Sequence, residues 1–365
     1  MTRIGPAFVL YCLIGIPPVK AELSSHWPLH WMLDKSDAVV IGSATMKPLD
    51  RRTMDIRIEV EESLRGPISI GTVVPLQWER QYFADGRSTA RGLFFLKRDV
   101  VWKLIPLMTG STTPFYRSFY FLPQGPPPTE YRSGSSLPLQ DRIFILLSWA
   151  EQNESQYPYP ALSEFMHVDR DFPAETRSPF IRNRLRQRLN DPSPAMQADG
   201  VRATLQEGNL DTLRRLQTDH QRFRNDAAQW RAITETVSFY FPNTPGGAAI
   251  LGQFASTPGD PQLRRAAAIA MARLHSRECL PHLARLMDDP DAELRALGVG
   301  GLAMFANNIQ PGRNHPAPEP WPFRTDATMA HSAMSPEVIG RDPAKYLGFW
   351  KQWWRDNQAK AMSGQ

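Results

Sequence analysis

The chain has 365 residues, more than one ordinary domain, so two domains are expected. Its 42% hydrophobic and 22% charged residues are those of a globular protein, and 33 prolines favour turns and linkers over long uninterrupted helices. Without Arg3 and Lys20, which lie in an expected leader, 40 Lys and Arg face 37 Asp and Glu. A net charge of +3 gives no argument for a nucleic-acid partner or an anionic membrane from overall charge.

Residues 1–21 read as a signal peptide. Arg3 supplies the positive start, Ile4 to Ile16 form an uncharged apolar run, Pro17-Pro18 break it, and Val19-Lys20-Ala21 gives a small-x-small cleavage site before Glu22. The run is shorter than the ~20 residues a spanning helix needs. Tyr11 before Cys12 argues against lipoprotein processing. Cleavage removes Cys12 and leaves Cys279, so no intramolecular disulfide is expected. The expected location is periplasmic or secreted, with no membrane span after cleavage.

Residues 22–122 carry strand patterns. Met54, Ile56, Ile58 and Val60 alternate with charged residues, which puts one face in a core and the other in water. Val74, Leu76 and Trp78 alternate similarly, Leu93 to Leu96 form an apolar run, and Trp102 and Leu104 alternate again. Gly66-Pro67, Asp85-Gly86 and Gly110 supply turns. The pattern predicts a small antiparallel β-barrel or sandwich.

Asp37-Ala38-Val39-Val40-Ile41-Gly42, the strand ending Glu62-Ser63-Leu64-Arg65-Gly66, and Gly92-Leu93-Phe94-Phe95-Leu96-Lys97 resemble bacterial exported domains of the OB or netrin-like barrel type. The resemblance implies a five-stranded barrel preceded by a short helix at Leu29 to Lys35. It implies no ligand, because such barrels host many functions. Netrin-like metalloprotease inhibitors use an N-terminal cysteine and disulfides, which the mature chain lacks, so their activity does not carry over.

Residues 123–139, rich in Pro, Gly and Ser, read as a linker. Helical periodicity follows over residues 140–310, with stripes at Ile143, Leu146, Leu147 and Ala150, and at Ile181, Leu185 and Leu189. A shift of 31 residues superposes Asp260 on Asp291, Leu263 on Leu294, Arg264 on Arg295, Ala267 on Gly298 and Ala270 on Gly301. This pattern closely resembles the short bacterial HEAT repeat, in which the Asp caps a helix and the Arg spans the turn between repeats. Degenerate earlier units are expected at Met196 to Leu216 and Trp230 to Phe254. Repeats of this type also resemble those of phycobilisome lyases, a kinship of fold. Residues 311–365 form an extended segment and an aromatic helix. Its "FWxxWW" ending is similar to that of exported repeat proteins, and Tyr346, Phe349, Trp350, Trp353 and Trp354 are read as a structural cap on the last helical pair.

Four features invite chemistry. His275, Cys279 and His282 stand at i, i+4 and i+7, a metal-capable face only if one helix spans all three; a buried small thiol is the simpler reading. His26 and His30 are a lone pair near the mature terminus. Arg182, Arg184, Arg186 and Arg188 form a dense basic segment able to dock an acidic partner or phosphate; a solvated helix surface is the simpler reading. Gly298, Gly300 and Gly301 lie inside a helix and serve close packing, with no phosphate-loop context. No catalytic, cofactor or metal residues are assigned. The expected function is an exported, non-enzymatic HEAT-type scaffold binding a protein partner. The alternative is an envelope enzyme or enzyme inhibitor acting through the barrel loops.

Overall fold

A computed structural model describes residues 29–49, 53–79, 89–104, 119–134, 136–153, 172–223, 225–309, 323 and 336–363. The expected signal peptide, His26, and the turns at Asp85-Gly86 and Gly110 lie outside them. The chain forms two compact units, one up to Arg184 and one from Leu185.

The first unit opens with helix α1 (Leu29–Lys35), followed by β1 (Ala38–Pro48), β2 (Thr53–Arg65), β3 (Val73–Glu79), β4 (Thr89–Arg98), β5 (Trp102–Leu104) and β6 (Phe119–Phe121). The sheet is antiparallel in the order β3-β2-β1-β4-β5, and β6 pairs with β4 beside β5. The two ends of the order, β3 and β5, approach each other and nearly close a barrel. Met54, Ile56, Ile58 and Val60 point into its interior with Val74 and Leu76, as the period-2 pattern requires. Burying each such side chain stabilises by about 2 kcal/mol.

β1 is buried on both faces from Ala38 to Gly42 and on one face thereafter. Ala38 and Val40 join the barrel interior, whereas Val39 and Ile41, with Leu93 and Phe95, are buried outside that cluster. Two register shifts separate β1 from β2, one between Ile41 and Gly42. Gly42 sits there because a Cβ would come within 2.5 Å of the Glu59 carbonyl oxygen and 2.7 Å of Ile58 Cγ2.

The units divide at Arg184/Leu185, later than the Pro/Gly/Ser segment 123–139 that reads as a linker. That segment contains α2 (Thr129–Ser133), whose Tyr131 is buried, and it leads directly into α3 (Leu139–Gln152). Arg91 on β4 donates to the Gly125 carbonyl at 2.8 Å, tying the segment to the barrel. Arg142 donates to the Tyr131 hydroxyl at 3.0 Å and Arg184 pairs with Glu130, so three arginines and one buried aromatic ring hold the segment. α4 (Pro179–Gln187) straddles the division.

The second unit is all α. Its helices are α5 (Pro194–Gln206), α6 (Leu210–Phe223), α7 (Ala227–Tyr240), α8 (Gly247–Ser256), α9 (Pro261–Leu274), α10 (Leu280–Leu286), α11 (Ala292–Ala306), α12 (Pro336–Arg341) and α13 (Pro343–Ser363). α5, α7, α9 and α11 pack in succession, and α6, α8 and α10 form a second row. The chain therefore makes stacked helical hairpins.

Asp260 accepts from the Leu263 amide at 2.9 Å and Asp291 from the Glu293 amide at 2.8 Å, so both aspartates of the 31-residue repeat cap helices. Arg264 donates to the Ala255 carbonyl at 3.1 Å and pairs with Asp289 at 2.6 Å, while Arg295 donates to the carbonyls of Asp289 and Pro290. A Cβ on Gly298 would lie 2.6 Å from the Leu283 carbonyl oxygen, which explains the small residue as close helix packing.

Candidate functional site

The last hairpin ends in a groove between α10 and α13. Asp342 starts α13, its side chain accepting from the Lys345 amide at 3.0 Å with Pro343 in the first turn. The aromatic spacing then fixes how the helix sits. Trp350 is fully buried and Trp353 nearly so; Tyr346 and Trp354 are half-buried against the same core, and Phe349 is 36% exposed. Phe305, Phe323 and Trp353 form a chain of rings at 5.7 and 6.4 Å, linking α11 to α13. Arg277, in the turn before α10, donates to the Ala361 carbonyl at 3.0 Å. Lys351 pairs with Asp288 just after α10.

Between these ties lies an open groove of about 600 Å³. Pro281, Ala284, Trp354 and Met362 give it apolar walls, and Arg285 and Asp288 stand at its edge. Asp288 is committed to Lys351. Arg285 is exposed, and its guanidinium makes no ion pair or hydrogen bond among the described residues. The site thus offers an apolar surface and one cation available to an acid.

The four arginines of the basic segment do not converge on a ligand site. Arg184 pairs with Glu130, Arg186 with Glu207 at 3.1 Å, and Arg188 with Asp199 at 2.8 Å. Arg182 reaches the Ala174 carbonyl at 3.3 Å. Arg188 is buried and Asp199 half-buried, while Arg182 and Arg186 remain exposed.

The His275, Cys279 and His282 spacing is interrupted. α9 ends at His275, which adopts a left-handed φ of 51°, and a 3-10 turn carries Cys279 before α10 begins at Leu280. The continuous helical face that a metal would need is absent. Burial, followed by the nearby Glu278, pushes the Cys279 thiol up to about 12, so it is protonated and inert. Burial lowers the pKa of His275, whose ring lies 5.2 Å from that of Phe305. Desolvation and then Arg285 lower that of His282, whose ring packs on the Gly252 backbone. Among the described residues, no group of three or more His, Cys, Asp or Glu is disposed to hold a metal, and no helix is long and apolar enough to cross a membrane.

One polar cluster escapes the sequence pattern. The Tyr131 hydroxyl donates to Glu62 at 2.9 Å, and Arg142 on α3 pairs with the same carboxylate at 2.5 Å while its guanidinium lies 4.9 Å from the Tyr131 ring centre. Burial, then the Glu62 charge, raises the Tyr131 pKa, so the phenol stays protonated. Alternation alone assigns the acids of Glu59 to Glu62 to a solvated strand face. The register shift opposite Gly42 places an extra residue in β2, so Glu62 pairs with Ile41 and faces the covered side. The available signal was the consecutive acids, which cannot both follow a period of 2. The cluster is an anchor for α2 and α3 rather than an open site.

Compared with protein-family models, curated proteins and solved structures, the chain matches none.

Proposed function

We propose that the chain is an exported, non-enzymatic binding scaffold whose helical unit is a HEAT-type solenoid and whose partner is a protein. The observation that carries this reading is the groove at the end of the stack, where apolar Trp354 and Met362 stand beside the unpaired Arg285. A partner segment that fits it presents an apolar side chain to Trp354 and Met362 and a carboxylate to Arg285. The repeating aspartate caps and the Arg264–Asp289 tie support the HEAT assignment, since they fix each hairpin on the next. The apolar leader before Glu22 supports a periplasmic or secreted location; N-terminal sequencing of envelope-derived protein should begin at Glu22.

The test is a photo-crosslinking amino acid at Gln358, in the groove, with Arg231, exposed on α7, as the control position. A discrete protein adduct is expected from position 358 alone, and Arg285→Glu should abolish it without lowering the melting temperature. Equal labelling at both positions, or an adduct indifferent to Arg285→Glu, would refute the groove.

A further inference from the structure

We infer that the barrel carries a second docking surface, one that inserts aliphatic side chains into an anionic lipid surface. Four large aliphatics are exposed in the first unit at the β2–β3 and β4–β5 turns: Ile70 at 69%, Val73 at 54%, Val100 at 94% and Val101 at 68%. The strand register puts both turns at one end of the barrel. Arg65, at the end of β2, pairs with Val39 near the start of β1; Ala38 pairs with Leu96 near the end of β4; and Arg98 pairs with Trp102 across the second turn. Because β3 and β5 approach each other to close the barrel, the two turns border the same seam.

This arrangement is not a failure of the hydrophobic pattern. Ile68, two residues before Ile70, is buried with the barrel interior, so the first turn separates an inward aliphatic from outward ones. A patch of this kind needs a partner, since isolated exposed aliphatics are ordinary but grouped ones mark an interaction surface.

The chemistry around the tips selects a lipid surface. The second turn reads Lys97-Arg98-Asp99-Val100-Val101-Trp102-Lys103, with two valines at the apex and cations on both sides. Asp99 is neutralised by Lys103 at 2.9 Å, Lys97 makes no ion pair among the described residues, and the exposed Arg98 guanidinium lies 5.6 Å from the Trp102 ring centre. Residues 66–78 of the other turn and strand contain no charge at all. Aliphatics at the tip, a tryptophan behind them and net positive charge beyond it match the sequence of hydrocarbon, interface and anionic headgroup. Protein hot spots favour Trp, Tyr and Arg seated in pockets, whereas these are β-branched aliphatics on projecting turns. The positive charge is local to the hairpin, so the small overall charge does not oppose it.

The experiment is co-sedimentation of the mature chain with phosphatidylcholine vesicles and with vesicles containing phosphatidylglycerol. Binding is expected only to the anionic vesicles and should weaken as salt is raised. Val100→Ser with Val101→Ser should lower partitioning on the order of tenfold or more, and Lys97→Gln with Arg98→Gln should remove the preference for phosphatidylglycerol. Arg98, Val100 and Val101 are exposed and Lys97 is half-buried, so an unchanged melting temperature should show that the fold survives. The inference is overturned if the wild type stays in solution with both vesicle types or if the valine variant sediments like the wild type. It is also overturned if light scattering finds a dimer that the valine variant dissolves, because the patch is then a self-association surface.

Discussion

Trp350 offers the sharpest test of how the helical stack is closed. Its side chain is fully buried on α13, 5.6 Å from the Trp353 ring and 5.2 Å from Phe349. Replacing a buried tryptophan by alanine removes its transfer free energy and leaves a cavity, a cost of about 3–5 kcal/mol. In a unit of roughly 180 residues each kcal/mol moves the melting temperature by about 2–4 °C, so Trp350→Ala should lower it by about 6–20 °C. Phe349, a neighbour on the same helix, is 36% exposed, and Phe349→Ala should cost about 1–2 kcal/mol. The indole Nε1 of Trp350 is buried without a hydrogen-bond partner among the described residues. Trp350→Phe therefore trades lost area against relief of an unsatisfied donor and should cost less than about 1.5 kcal/mol. Calorimetry of the three variants gives the order directly. If Trp350→Ala melts with the wild type, or if Phe349→Ala is equally damaging, the aromatic helix does not close the core.

Acid should weaken the same region. His275 and His282 have folded-state pKa values below the ordinary 6.5 because burial disfavours the imidazolium, so the unfolded chain binds more protons as pH falls. Their contribution is complete above about 6.5 and is lost as pH drops through the lowered folded values; His275→Gln with His282→Gln should flatten that part of a denaturant midpoint-versus-pH curve. An unchanged slope would mean that neither histidine is desolvated as described. In the first unit, Tyr131→Ala should release α2 and make residues 123–134 the first site of limited proteolysis, with a stability cost of about 3 kcal/mol or more. Early cutting there in the wild type would show that the anchor does not hold.

What could be read from the residues depended on whether the controlling interaction was periodic. The alternation of Met54, Ile56, Ile58 and Val60 defines the interior face of β2, and the 31-residue spacing of Asp260 and Asp291 locates two helix starts. Aperiodic interactions were hidden. The shift opposite Gly42 redirects Glu62, and Tyr131 with Arg91 holds a segment whose composition suggests none. For the site, the aromatic spacing identified α13, but Arg285 gave no signal: its availability depends on Asp288 being occupied by Lys351, 63 residues later in sequence.

The two-sided burial of β1 has a thermodynamic consequence. Ala38 and Val40 belong to one apolar layer while Val39 and Ile41 belong to another, and a single backbone ribbon is the wall between them. Neither layer can hydrate alone, because pulling β1 away to wet one side breaks ladders to β2 and β4 and strips the other side as well. The free-energy costs of opening are thereby summed in one event, which makes the start of β1 the cooperative hinge of the whole unit. Its first five residues act as a party wall, and the barrel and the layer outside it stand or fall together.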